Sequence, residues 1–171
     1  NFVKKDDDSP LTKADLASNS LIKYELNLID NNINILSEEE KDIDWEVRKK
    51  WKIFWLVDPL DGTKEFIKKN GEFTVNISLI ENNIPTMGVI YAPYLKTLYY
   101  AINNLGSYKH KNVKLTSSVN YFDSKNIIKC NENIDQLNIV ASRSHHSDLL
   151  DIWLKNYKKY KLVDAGSSLK F

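Results

Sequence analysis

The sequence predicts an α+β or layered α/β protein, and three features carry that reading. One long helical stretch lies near the start. A run of short alternating strands with tight turns fills the middle, and a β-α-β unit lies near the end. At 171 residues, with 42% hydrophobic and 27% charged side chains, the chain is long and apolar enough to bury a core. Lys+Arg 24 against Asp+Glu 23 leaves a net charge of +1, so bulk charge predicts neither nucleic-acid nor membrane binding. Cys130 is the single cysteine, which excludes an internal disulfide and suits a reducing compartment. No apolar stretch approaches a membrane span, and no signal peptide is visible. The chain starts without Met at Asn1 and stops at Phe171 within a loop-to-helix transition, so both ends read as incomplete.

Lys4 to Ser9 reads as a charged loop with Asp6, Asp7 and Asp8 in a row, closed by Pro10. A helix is expected from about Thr12 to Leu28, because Ala14, Ala17, Leu21, Tyr24 and Leu28 recur three and four residues apart. Thr12 with Asp15 three residues on resembles a capping box with Asp in place of Glu, which gives Asp15 a purely structural explanation. Ile33 to Leu36 predicts a short strand after a turn at Asp30 to Asn32, followed by Ser37-Glu38-Glu39-Glu40. Lys41 to Lys52, with Trp45 and Trp51, reads as a loop or short helix over the sheet.

Phe54 to Val57 is a buried-strand pattern that runs into Asp58-Pro59-Leu60-Asp61-Gly62-Thr63. Pro59 removes a backbone donor and Gly62 permits a tight path, so the sheet ladder is expected to stop there. Two carboxylates and a hydroxyl at a strand end suit a hard divalent cation, which takes oxygen ligands. The plainer reading is a polar turn whose Asp side chains bond nearby N–H groups. After Thr63 a short helix through about Lys69 ends at Asn70-Gly71. Phe73 to Leu79 alternates apolar and polar, which predicts a half-buried strand. Asn82-Asn83 turns the chain into Thr86 to Ala92, and Leu98 to Ile102 and Gly106 to His110 follow, so the sheet is antiparallel. Lys114 to Ser118 is a candidate edge strand, and Asn120 to Glu132 reads as an irregular link. Leu137 to Ala141 is strand-like, Leu150, Trp153, Leu154 and Tyr157 share a helical face, and Lys161 to Val163 is a final strand.

Asp15, Glu38-Glu39 and Asp58-Pro-Leu-Asp-Gly-Thr63 follow the order and approximate spacing of the lithium-sensitive, magnesium-dependent phosphatase superfamily. That group includes inositol monophosphatase, fructose-1,6-bisphosphatase and the bisphosphate nucleotidases. Lys5-x-Asp7-x-Ser9-Pro10-Leu-Thr-x-Ala14-Asp15, Trp55 to Ala92, Ser142-Arg-Ser-His145 and Gly166-Ser-Ser-Leu-Lys-Phe171 most resemble its CysQ-type 3′(2′),5′-bisphosphate nucleotidases. The resemblance implies the layered αβαβα sandwich of that group, truncated here. Residues 1–125 would be a metal-binding α+β part and 126–171 the start of a second α/β part.

It further implies a magnesium-dependent hydrolase that converts 3′-phosphoadenosine 5′-phosphate to AMP and phosphate in sulfate assimilation. Two or three Mg²⁺ ions would be held by Glu38, Asp58, the Leu60 carbonyl and Asp61, with Glu39 a weaker candidate. Asp15 and Thr63 would act on the attacking water, and Glu38 counts with them as catalytic. Leu60, Asp61, Gly62 and Thr63 would also bind substrate. Ser142, Arg143, His145, Ser167, Ser168 and Lys170 would bind the rest of the nucleotide. From the residues alone, Ser142 to His145 reads first as a helix cap with a solvated Arg and His, an order that the resemblance reverses, and His146 as solvated; the resemblance would set the Lys5 to Asp8 loop near the metals, with Asp7 as an outer contact. A small-molecule nucleotide is the implied partner, with no nucleic-acid polymer and no integral membrane segment. The implied location is cytoplasmic, compatible with loose inner-membrane association. An inositol phosphatase, or a non-catalytic metal- or nucleotide-binding chain, are the rival readings.

Overall fold

The computed structural model describes residues 2–4, 10–40, 43–114, 120–130, 137–143 and 147–171, the first three as backbone only. The expectations for Lys5 to Asp8, for His145 and His146, and for an edge strand beyond Lys114 fall outside them. Two short strands, β1 (Phe2–Lys4) and β2 (Pro10–Thr12), pair antiparallel and lead into helix α1 (Lys13–Ile29). Then come β3 (Asn34–Ser37), the single-turn α2 (Trp45–Arg48), β4 (Ile53–Asp61) and α3 (Thr63–Lys68). β5 (Thr74–Glu81), β6 (Ile84–Ala92), β7 (Thr97–Ile102) and β8 (Gly106–His110) form a meander. β9 (Ile127–Ile128) completes a seven-stranded sheet in the order β3-β4-β5-β6-β7-β8-β9. The stretch expected to be an irregular link thus supplies a strand of the sheet. A separate parallel pair, β10 (Leu137–Ser142) and β11 (Tyr160–Ala165), is joined through α4 (Asp148–Leu154). A 3-10 turn, Ser167–Lys170, follows. The architecture is layered α+β, with a mixed sheet.

Local chemistry accounts for most of this. Asn82 and Asn83 both take positive φ, 51° and 64°, the conformation that a two-residue hairpin demands. β3 and β4 run parallel, and the connection through α2 is long enough for such a crossover, which no tight turn could make. The rest of the sheet is antiparallel, as alternation and short turns require.

α1 begins at the expected residue. The Thr12 hydroxyl accepts from the Ala14 N–H, and the Asp15 carboxylate reaches back to Thr12, closing a capping box. Its buried face is not the expected one. Leu21, Tyr24 and Leu28 are 61%, 61% and 65% exposed, whereas Asp15, Asn19 and Leu26 are buried. Polar anchors set the rotation. The Ser18 hydroxyl donates to the Pro59 carbonyl at 2.8 Å, and the Ser37 hydroxyl donates to Asn19 at 2.7 Å. The apolar core on this side is Leu26, Trp55 and Val57, packed with Ile22, Ile35, Ile77 and Leu79. The other face of the sheet lines an open groove of about 980 Å³. Leu56, Ile90 and Tyr99 form its apolar floor, and Glu38, Asp58, Asn76 and Ser168 stand along it too.

Candidate active site

The site is built on an irregularity in β4. Asp58 pairs with Asn76 on β5, and Asp61 pairs with Thr74. Three steps along β4 are therefore matched by two along β5, and the extra residue is a bulge. In a regular strand, side chains three positions apart point to opposite faces. The bulge brings Asp58 and Asp61 to the same face. Pro59, which has no N–H to give the ladder, lies inside it. The ladder was expected to end at this proline; instead it is interrupted and resumes at Asp61.

β3 adds the next carboxylate. The Glu38 N–H donates to the Val57 carbonyl at 3.0 Å, which extends the parallel register one step and sets Glu38 beside Asp58. Burial, then the charges of Glu38 and Asp61, push the Asp58 carboxyl up to about 8, against the pull of a hydrogen bond from the Leu60 N–H. Asp58 and Glu38 also share a hydrogen bond. No group of three or more His, Cys, Asp or Glu side chains among the described residues is drawn together as a ready-made metal cage. The chemistry of the donor set nonetheless fits a hard divalent cation: every donor is oxygen, and crowded carboxylates that repel one another are relieved by a positive charge between them.

A second group lies at the start of α1 and α3. Asp15 is fully buried. One of its oxygens takes the Thr12 N–H at 2.8 Å and the Thr12 hydroxyl, and the other faces the Thr63 hydroxyl at 3.1 Å. Thr63 also lies 3.3 Å from the Leu60 carbonyl. Capping and the approach to Thr63 thus coexist in one carboxylate, since its two oxygens are divided between them. Gly62 joins the two groups with φ +87°.

The remaining expected residues that the structure describes lie in or beside the 3-10 turn. The Ser168 hydroxyl donates to Asp61 at 2.6 Å, and the Ser167 hydroxyl is 3.2 Å from that of Thr74. Lys170 donates to the Ser167 carbonyl at 2.7 Å. Ser142 ends β10, and the next N–H, that of Arg143, donates to the Ala165 carbonyl. Arg143 does not point at the carboxylate group. Its guanidinium forks onto Glu72 at 2.8 and 2.9 Å and donates to the Asp164 carbonyl at 2.9 Å. That pairing holds the Glu72 carboxyl below its ordinary range and raises the guanidinium further.

Glu72, Thr74 and Asn76 are participants that the sequence reading did not single out. Thr74 and Asn76 lie on the polar side of the alternation that predicts β5, and Glu72 just precedes it.

The sequence pattern of the inositol monophosphatase family matches residues 1–169. The chain belongs to the inositol monophosphatase family. Over 170 residues it is 43% identical to the 3′(2′),5′-bisphosphate nucleotidase CysQ of Salmonella typhimurium, covering 99% of this chain and 64% of that one. It is 46% identical over 171 residues to the CysQ of Buchnera aphidicola, covering 100% of this chain and 60% of the relative. The crystal structure of CysQ from Bacteroides thetaiotaomicron superposes with a TM-score of 0.82 at 40% identity, over 97% of this chain and 64% of that one. This family member therefore spans somewhat under two thirds of the length of the curated relatives it matches. Among its described residues no helix is long and apolar enough to cross a membrane.

Proposed function

We propose that this chain carries the metal-bearing part of a Mg²⁺-dependent phosphomonoesterase that converts 3′-phosphoadenosine 5′-phosphate to AMP and phosphate. The observation that carries the reading is the β4 bulge, which sets Asp58 and Asp61 on one face beside Glu38. The nucleotide is supported by the likeness to named bisphosphate nucleotidases over essentially the whole chain. Glu38, Asp58, the Leu60 carbonyl and Asp61 would hold the ions, two or three in number. When bound, Mg²⁺ supplies charge that neutralises the phosphoryl oxygens and acidifies a water.

The chain's own residues supply the proton path. Thr12 fixes one oxygen of Asp15, so the other is free to accept from Thr63. The Thr63 oxygen is then left to take a proton from the attacking water while its own passes to Asp15. Ser167, Lys170 and Ser142 would contact the nucleotide beyond the scissile phosphate, together with His145, which lies outside the described residues. Arg143 is reassigned: through Glu72 it supports the turn that follows β11. We divide the chain into the metal-bearing part, 1–125, and the start of a second part, 126–171. A cytoplasmic setting accompanies this reading.

The test is phosphate release by the full-length gene product from 3′-phosphoadenosine 5′-phosphate and from inositol 1-phosphate, with and without Mg²⁺. Release from the nucleotide that needs Mg²⁺ and disappears in Asp58→Asn is the expected outcome. Preference for the inositol ester would retain the metal site and overturn the nucleotide assignment. No release from either would overturn the enzymatic reading.

A further inference from the structure

Glu72, Thr74 and Asn76 alternate along β5 and its lead-in, so they share one face, and the turn after β11 docks on them residue for residue. The Gly166 N–H donates to Glu72 at 2.8 Å, the Ser167 hydroxyl meets Thr74 at 3.2 Å, and Asn76 Nδ2 donates to Ser168 Oγ at 2.7 Å. The third contact continues into the carboxylate group, because Ser168 Oγ donates to Asp61 Oδ2 at 2.6 Å.

The chemistry of the donors fixes the direction of this chain of bonds. An amide NH₂ only donates, so at Asn76 the serine oxygen is the acceptor. Its one proton is then directed to Asp61. Turning the Asn76 amide over would set two acceptors, its own oxygen and that of Asp61, around a single serine proton. Asn76 Nδ2 also lies 3.4 Å from the same Asp61 oxygen. Both described donors to Asp61 thus converge on Oδ2, and none reaches Oδ1. Asn76 Oδ1 is itself buried without a hydrogen-bond partner, a cost that an apolar residue of similar shape would avoid.

We infer that Asn76 is a positioning residue of the proposed metal site: acting through Ser168, it pins Asp61 by Oδ2 and presents Oδ1 as the ligand oxygen. This rests on the Mg²⁺-binding part of the function proposed above. Removing the amide leaves the serine hydroxyl free to rotate and Asp61 free to swing. Outer partners of this kind are commonly worth about 10- to 100-fold in metal affinity.

The experiment is calorimetric titration of Mg²⁺ into the metal-free, full-length gene product, as wild type, Asn76→Ala, Ser168→Ala and the double variant. Metal-free melting temperatures are measured alongside. Each single variant is expected to lose about 10- to 100-fold in affinity. The double variant should lose no more than the weaker-binding single, because both act on one bond. Ser168→Thr, which keeps the hydroxyl, should bind close to wild type and carries the test if Asn76→Ala does not fold. Wild-type affinity in folded Asn76→Ala, or losses that multiply in the double variant, would overturn the inference alone. Failure of the wild type to bind Mg²⁺ would overturn the proposed function and the inference with it.

Discussion

Gly62 is under two constraints at once. Its φ of +87° is one that L side chains rarely adopt, and a Cβ there would stand 2.9 Å from the Ser167 Cβ and 3.0 Å from the Glu72 carbonyl. Gly62→Ala is accordingly expected to cost about 1–3 kcal/mol, the usual range for a strained backbone residue. A lower urea midpoint at unchanged slope would register it; an unchanged midpoint would mean that the turn relaxes. Residues of this kind were legible beforehand, because glycine, proline and paired aspartates announce themselves by type. Asn76, by contrast, is an ordinary polar residue in an alternating strand. Its importance comes from what stands across from it, Asp61 on one side and Ser168 on the other, and that is a fact of tertiary placement. Arg143 is likewise placed by a distant partner, since Glu72 lies 71 positions earlier in the chain.

Among the elements, α1 separates what local sequence decides from what it does not. The start of the helix was readable because the capping box is a short-range pattern. Its buried face was not, because Asp15, Ser18 and Asn19 turn inward toward partners on β3, β4 and α3. Thr12→Ala removes both the cap and one donor to the buried Asp15. The expected cost is about 1–2 kcal/mol, with Thr12→Ser close to wild type in thermal unfolding. Equal stability of all three would remove the cap from the account.

For the molecule as a whole, Glu72 joins the large sheet to the β10–β11 pair through Arg143 and the Gly166 N–H. Its carboxyl is held below the ordinary value of 4.5, chiefly by the hydrogen bond from Arg143. The unfolded chain therefore takes up this proton at a higher pH than the folded one does. The stabilisation is complete above the ordinary value and is lost as pH falls through the lower folded value. Urea titrations between neutral and acid pH should show that loss, and Glu72→Gln should flatten this part of the profile. An identical profile in the variant would assign the acid sensitivity to other groups.

The same docking fixes an order of events. The contacts from Glu72, Thr74 and Asn76 bridge 94, 93 and 92 positions. Closing a loop of that size costs about 4 kcal/mol beyond a constant, more than any one of these hydrogen bonds returns. The strand meander, joined by tight turns, forms without that cost. Asp58 and Asp61 are therefore expected to lie side by side early, with the hydroxyl that orients Asp61 arriving only after the distant turn has closed. The fold precedes its own competence, and the Gly166 amide, at the far end of that closure, is where hydrogen exchange would time the interval.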